Sequence, residues 1–146
     1  MPSSHTVNEL MTRDTRPSFL LDRALNPRLA QVLRDAGFKA VHLREAVGED
    51  RASQMLDPEV FSYAHEHGYV ILTKDAKMAR RPNEVREILD RQLHVFSLAK
   101  ANQPLAAEAY TFGRHILQVV RHCKPEGPSF WRLYLGDDFR RDLPQP

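Results

Sequence analysis

Two short stretches decide the fold: YVILTKD at residues 69–75 and FLLD at residues 19–22. Each is an apolar run that ends in polar residues, and each is too short to be a typical helix. Uninterrupted apolar runs of this length are typical of strands that are buried on both faces of a parallel sheet. The two stretches therefore predict buried strands, with Asp22 and Asp75 at their ends.

Helical patterns separate these strands from further apolar runs. Two helix starts, each a capping residue followed by proline, lie at residues 26–27 and 57–58. Further strands are predicted at residues 39–43, 93–98 and 130–135. Strands that alternate with helices predict βαβ units. We therefore expect an α/β fold with a largely parallel sheet of about five strands, covered on both faces.

Length and composition limit the class of protein. The chain has 146 residues, of which 42% are hydrophobic and 27% charged, and this is ordinary for one globular domain. We expect a flexible tail at residues 1–17, the domain at 18–140 with a long loop at 44–56, and a C-terminal tail at 141–146. No bilayer-spanning run or secretory signal is visible, so we expect a cytoplasmic protein without a membrane partner. The single cysteine, Cys123, excludes an internal disulfide and a cysteine-based zinc site.

Three carboxylates are steered to one edge of the predicted sheet. Asp22 and Asp75 follow strands, while Asp57 opens the helix that leads into the third strand. Helices begin at the edge where strands end in right-handed βαβ units, so the three acids are expected at one edge. Crowded carboxylates repel one another, and a hard divalent cation relieves that repulsion. These acids are candidate catalytic and metal-binding residues, with Glu59 as a further metal candidate and Thr73 as a supporting hydrogen-bond donor.

Each acid also has a purely structural interpretation. Asp57 before a proline suits a helix cap, and Glu59 suits the positive end of the helix dipole. Asp22 and Asp75 suit a turn and a helix cap. Their joint placement at one edge favours the functional interpretation.

Basic residues surround the predicted acidic site. Lys74, Lys77, Arg80 and Arg81 fall within eight residues of sequence, and Arg23 directly follows the first candidate acid. A cationic rim around a metal–carboxylate centre suits a polyanion, so these five residues are candidate phosphate contacts. An ordinary charged helix start explains the same pattern. The net charge of +2 does not by itself indicate a nucleic-acid binder.

The last strand region offers weaker candidates. Trp131 and Tyr134 are predicted to pack in the sheet rather than to stack on bases, and Asp137 and Asp138 are predicted to lie in a solvated turn. The chain has no glycine-rich phosphate loop, GxSxG motif or HExxH motif. Dinucleotide-dependent, serine-hydrolase and zinc-protease chemistry are therefore not indicated.

The order of five short motifs carries a family resemblance. They are Phe-Leu-Leu-Asp at 19–22, Asn-Pro-Arg-Leu at 26–29, Val-His-Leu at 41–43, Asp-Pro-Glu at 57–59 and Val-Ile-Leu-Thr-Lys-Asp at 70–75. This order resembles the PIN-like domains, in the short branch related to VapC-type toxins. The resemblance extends to about residue 135 and implies a three-layer α/β/α fold and a ribonuclease that depends on Mg²⁺ or Mn²⁺.

The resemblance also implies residue roles and partners. Asp22, Asp57 and Asp75 would hold one or two metal ions for hydrolysis of RNA, and the basic residues would hold neighbouring phosphates. An antitoxin protein and a homodimer are further implied. The alternative is a non-catalytic PIN-like module that binds RNA or a partner protein, since Arg23 stands where many short relatives carry an acid. A phosphoacceptor receiver domain is disfavoured, because receivers carry an acidic pair after the first strand.

Overall fold

A computed structural model describes residues 16–144. The strands are β1 (Ser18–Leu21), β2 (Lys39–His42), β3 (Tyr69–Thr73), β4 (His94–Leu98), β5 (Ser129–Leu133) and β6 (Phe139–Leu143). The helices are α1 (Arg28–Asp35), α2 (Leu43–Val47), α3 (Glu49–Gln54), α4 (Asp57–His67), α5 (Pro82–Asp90) and α6 (Leu105–Cys123), with a 3₁₀ helix at Ala76–Arg80. Apart from Arg16 and Pro17, the predicted N-terminal tail lies outside the described residues.

The six strands form one sheet in the order β2-β1-β3-β4-β5-β6. Strands β1 to β5 pair in parallel, and β6 pairs antiparallel with β5. The five parallel strands therefore end at one edge, here called the carboxyl edge, and begin at the other, the amino edge. From β1 the chain first adds β2 on one side and then β3 on the other, so the strand order reverses between β1 and β3. Such a reversal opens a crevice at the carboxyl edge, where ligands bind in open α/β sheets.

Two hydrophobic cores cover the two faces of the sheet. Alternate residues of each strand point to opposite faces, so Leu20 and Ile71 lie in one core while Phe19, Leu21 and Leu72 lie in the other. The first core packs against α4 and α5, and the second against α1 and α6. All five of these side chains are at most 1% exposed. The expectation of a three-layer α/β/α fold with a largely parallel sheet is therefore confirmed.

The prediction of about five strands missed β6. Residues 139–143 pair with β5, so the sheet continues past the predicted domain boundary at residue 140. Only Leu143 of this strand is buried, because β6 is an edge strand with solvent on much of its surface. Its sequence, FRRDL, consequently lacks the apolar run by which the inner strands were predicted.

The predicted long loop at 44–56 is also wrong, because two short helices occupy most of it. The α2 helix is capped by His42 and Glu45: the His42 Nδ1 accepts a hydrogen bond from the Arg44 N–H at 3.1 Å, and Glu45 accepts one from the His42 N–H at 2.9 Å. Gly48 then adopts φ = 93°, a conformation that favours glycine, and separates α2 from α3. Between residues 16 and 144, no helix has the length and apolar character needed to cross a bilayer.

Candidate active site

One buried hydroxyl links two of the predicted acids at the carboxyl edge. Thr73, which ends β3 and is fully buried, donates to the Asp22 Oδ2 at 3.0 Å. The same Thr73 Oγ1 accepts a hydrogen bond from the Asp75 N–H at 3.1 Å. The Asp22 Oδ1 accepts from the Arg23 N–H at 2.8 Å, so both carboxylate oxygens of Asp22 are oriented. The ends of β1 and β3 thus meet at the point where the strand order reverses.

The third predicted acid, Asp57, opens α4 and lies within the electrostatic reach of the other two. Burial raises the pKa of the Asp57 carboxyl, and the negative charge of Asp22 raises it further. Glu84 and Asp75 add to this effect, while the Arg81 guanidinium opposes it. A carboxyl whose pKa is raised by neighbouring carboxylates marks a candidate functional site.

Arg81 balances two acids of this group. Its guanidinium forms an ion pair with Asp75 and a second ion pair with Glu84, whose carboxylate lies 3.1 Å from the Arg81 Nε. Sequence reasoning missed Glu84. Its only local signal is an acid in the first turn of a helix that begins with proline, and this pattern is common in helices without any function. Glu84 is therefore a fourth acid beside Asp22, Asp57 and Asp75.

Two further predicted site residues, Arg23 and Glu59, make contacts that stabilise the ends of helices. The Arg23 Nη1 donates to the carbonyls of Ala52, Ser53 and Met55 at 2.9–3.0 Å, so it satisfies the C-terminal end of α3. Glu59 accepts from the Leu56 N–H at 3.1 Å and so caps α4. The phosphate contact predicted for Arg23 and the metal contact predicted for Glu59 stay predictions.

The remaining basic residues differ in exposure. Lys77 and Arg80 lie on the 3₁₀ helix and are exposed, whereas Lys74 is half-buried. The negative charge that faces Lys74 comes from α6, where Glu108 is only 2% exposed. Lys77 and Arg80 are accordingly the residues of this stretch that are best placed for a contact with a polyanion in solution.

Glu108 is a second acid that sequence reasoning missed. Burial raises the pKa of its carboxyl, and the backbone of Asn26 and the charge of Lys74 lower it in part. Within the described chain, the Glu108 Oε1 is buried without a hydrogen-bond partner. An acid in the first turn of a long amphipathic helix gives no sequence signal for such burial.

The acids supply ligand atoms that suit a divalent cation, but they are not arranged as a compact set of ligands. Carboxylate oxygens are the ligands that Mg²⁺ and Mn²⁺ prefer, and the mutual repulsion at Asp57 is what a cation relieves. Among residues 16–144, no three His, Cys, Asp or Glu side chains are close enough together to hold one ion. Metal binding by Asp22, Asp57 and Asp75 therefore stays a prediction, and Arg81 supplies the positive charge in the arrangement described.

Two comparisons with known proteins found a match. The family model described as "PIN like domain" matches residues 17–100, which include β1 to β4 and all four acids of the site. The chain is 28% identical over 115 residues to a protein of Mycobacterium tuberculosis (strain ATCC 25618 / H37Rv) named "Putative ribonuclease VapC45". That match covers 78% of this chain and 83% of the relative. No solved structure matches.

Proposed function

The chain belongs to the PIN-like domain family, and we propose that it is a metal-dependent endoribonuclease that hydrolyses RNA phosphodiester bonds. The relative from M. tuberculosis is named a ribonuclease, which supports the same chemistry here. We further propose that the protein is the toxin of a toxin–antitoxin pair. Its partners would then be RNA, an antitoxin protein and a second copy of the chain.

The observation that carries this proposal is the bridge made by the Thr73 hydroxyl. One buried side chain fixes the Asp22 carboxylate and the backbone of Asp75 at the same time. Catalytic groups that are held by buried hydrogen bonds lose little freedom when substrate binds, which is the advantage of preorganisation.

The side chains of the site have different roles in the proposed reaction. Asp22, Asp57 and Asp75 would hold Mg²⁺ or Mn²⁺, and a bound divalent cation supplies activation of water and neutralisation of phosphate charge. Thr73 would keep Asp22 aimed at the site. Lys77 and Arg80, with Lys74, would hold phosphates next to the scissile bond, because Lys and Arg bind the RNA backbone without reading its sequence.

A non-catalytic binding module is the second candidate. It is favoured by the ion pair between Arg81 and Asp75, which occupies one of the proposed ligands. It is also favoured by Arg23, whose guanidinium caps α3 beside Asp22. Such a module would bind RNA or a partner protein through the same edge of the sheet without cutting it.

Cleavage of a labelled RNA by the purified full chain separates these candidates. We expect cleavage in Mg²⁺ or Mn²⁺, loss of cleavage in EDTA, and a fall to the EDTA level in Asp22→Asn and in Asp75→Asn. Asp90→Asn is the matched control, since Asp90 is an exposed acid at the end of α5. RNA binding without cleavage under all metal conditions would establish the binding module, and full cleavage by both site variants would remove the assigned acids.

The toxin role has a separate test in living cells. Induced expression of the wild-type chain is expected to arrest growth, and expression of Asp22→Asn to the same level is not. Equal growth arrest by both proteins would show that any toxicity does not depend on this site.

A further inference from the structure

A cavity opens at the carboxyl edge beyond the end of β3. It has a volume of about 420 Å³ and lies between the ends of β4 and β5. Lys100 and Gln103 line it from the segment after β4, and Leu133 and Tyr134 line it from the end of β5. We call it the β4–β5 cavity. Volumes of about 300–1,000 Å³ are usual for pockets that bind small molecules, so a nucleobase fits.

The wall of the β4–β5 cavity is held in place by α6. The His115 Nε2 lies 2.8 Å from the Tyr134 carbonyl oxygen and 3.1 Å from that of Gly136. Carbonyl oxygens only accept, so this nitrogen carries the proton and donates to both. Arg114 donates to the Leu135 carbonyl at 2.9 Å. The turn after β5 is therefore braced at three consecutive residues, and the shape of the cavity exists before any ligand arrives.

The lining combines an apolar base with polar groups at its margin. Leu133 is buried at the end of β5, while Gln103 supplies an amide and Lys100 a positive charge. Tyr134 follows the last residue of β5 instead of lying within a strand as predicted, and the residue is half-buried. An apolar floor, an aromatic ring and amide groups are what proteins use to stack a base and bind its edge.

The surroundings of Tyr134 are positively charged. The guanidinium carbons of Arg132 and Arg140 lie 5.8 and 5.3 Å from the centre of its ring. Guanidinium groups beside an aromatic ring bind phosphates and extend a stacking surface. Asp138 and Asp142 form ion pairs with these arginines, and an RNA phosphate would compete for the same cations.

We propose that the β4–β5 cavity binds a base of single-stranded RNA, from a nucleotide neighbouring the one whose phosphate lies at the acids. This inference rests on the proposed ribonuclease function. Strand β4 separates β3 from β5, so at a spacing of about 4.8 Å the ends of β3 and β5 lie about 10 Å apart. An extended RNA strand spans that distance with adjacent nucleotides. The cavity and the acids would thus engage one strand of RNA along one edge of the sheet.

A binding experiment with abasic RNA tests this assignment. Fluorescence anisotropy would measure the affinity of the full chain for a labelled single-stranded RNA decamer, in EDTA so that no strand is cut. A series of decamers carries one abasic nucleotide at each position in turn. For wild type, we expect one abasic position to weaken binding by about 10-fold, the scale of one stacked base. Tyr134→Leu should weaken the intact decamer by a similar factor and show no further loss at that position.

Two further variants keep this test decisive. Tyr134→Phe retains the ring and should bind like wild type. Tyr63→Leu is the matched control, since Tyr63 is a half-buried tyrosine of α4 whose ring lies beside His67 and Tyr69. Gln103→Ala changes a loop side chain of the cavity and serves if Tyr134→Leu does not fold. Equal binding of all abasic decamers by wild type would overturn the proposal, and so would a loss in Tyr134→Leu that adds fully to the abasic loss. Failure of cleavage in Mg²⁺ with the abasic pattern intact would instead remove the nuclease function.

Discussion

Both edges of the sheet carry groups of polar and ionisable side chains, but these groups differ in how fully they are paired. At the amino edge, the His94 Nδ1 lies 2.6 Å from the Ser129 Oγ, and its Nε2 lies 2.7 Å from the Pro125 carbonyl oxygen. Cys123 lies nearby, on the same 330 Å³ cavity as His94, and burial raises the pKa of its thiol to about 12. A histidine, a serine and a cysteine are a familiar set for nucleophilic catalysis. Here both ring nitrogens are satisfied and the thiol stays protonated.

At the carboxyl edge, the polar and charged groups are not all paired in this way. The pKa of Asp57 is raised because the carboxyl is half-buried and lies near other carboxylates, and Glu108 has a buried oxygen without a partner among the described residues. Arg81 is shared between two acids. Residue type alone therefore does not identify a functional site. A network that satisfies all its members stabilises a fold, whereas incompletely balanced charge at a crevice is what a ligand or metal can complete.

After loss of the acids themselves, the largest expected effect concerns the Thr73 bridge at the carboxyl edge. Thr73→Val keeps the shape and the β-branch of the side chain but removes the hydroxyl that orients Asp22 and Asp75. Loss of such an orienting contact at a metal site typically costs about 10–100-fold in activity or metal affinity. We expect cleavage to fall by that factor and the Mg²⁺ concentration for half-maximal rate to rise.

Ser97→Ala is the matched control for this substitution. Ser97 lies opposite Thr73 on β4, is equally buried, and donates only to the Leu98 carbonyl. Its loss should leave cleavage and metal dependence near wild type. If Thr73→Val and Ser97→Ala behave alike, the hydroxyl of Thr73 has no special role at the carboxyl edge.

The amino edge is expected to respond in stability and not in activity. A Cβ at Gly127 would lie 2.2 Å from the Gln92 carbonyl oxygen, so Gly127→Ala forces two backbone segments apart. Such overpacking costs about 1–3 kcal/mol of the free energy of unfolding. Gly113→Ala, in the open middle of α6, should instead gain about 0.5–1 kcal/mol. Urea denaturation measures both, and equal stability of the two variants would contradict the close approach.

The third prediction is a loss of stability in mild acid, caused by His42 beneath the carboxyl edge. Burial lowers the pKa of His42 and Arg44 lowers it further, while the Leu25 carbonyl, Glu45 and Asp22 offset part of this. The folded state therefore binds fewer protons than the unfolded chain. The stability supplied by the neutral ring is present above the ordinary value of 6.5 and is lost as the pH falls toward the lowered folded pKa.

Denaturation between about pH 7.5 and pH 5 measures this contribution. His42→Asn keeps a side-chain acceptor at the start of α2 and does not titrate, so its stability should change less over this range. A wild-type curve as flat as that of His42→Asn would mean that the imidazole is not held neutral by its contacts.

The smallest effect is expected at Glu108. Its raised pKa means that the folded state favours the protonated carboxyl, so stability is lost as the pH rises through the folded pKa. Glu108→Gln removes the buried charge and should give a small gain in stability at about pH 7.5 that disappears in acid. Glu126→Gln, at an exposed position, should show no such gain. A clear loss of stability in Glu108→Gln would show that the charged carboxylate has a stabilising partner.

The features of the fold that depend on local sequence patterns could be predicted. The apolar runs of β1 and β3 gave the parallel sheet, and their polar ends placed Asp22 and Asp75 at one edge. Contacts between distant segments could not be predicted. The burial of Glu108 beside Lys74 and the use of Arg23 to cap α3 depend on how helices pack on the sheet. Nothing in the residues beside them signals these partners.

The side chains of FLLD alternate between the two cores, and this limits how the sequence can change during evolution. Phe19 and Leu21 lie in one core, Leu20 lies in the other, and Asp22 follows at the edge. Deletion or insertion of one residue here would turn the side chains of β1 to the opposite faces of the sheet. It would also move the Asp22 carboxylate away from Thr73. Fold and site would fail together. During evolution, the surrounding helices and turns can therefore change more freely than the length of this tetrapeptide. Distant homologues should be aligned without a gap inside it.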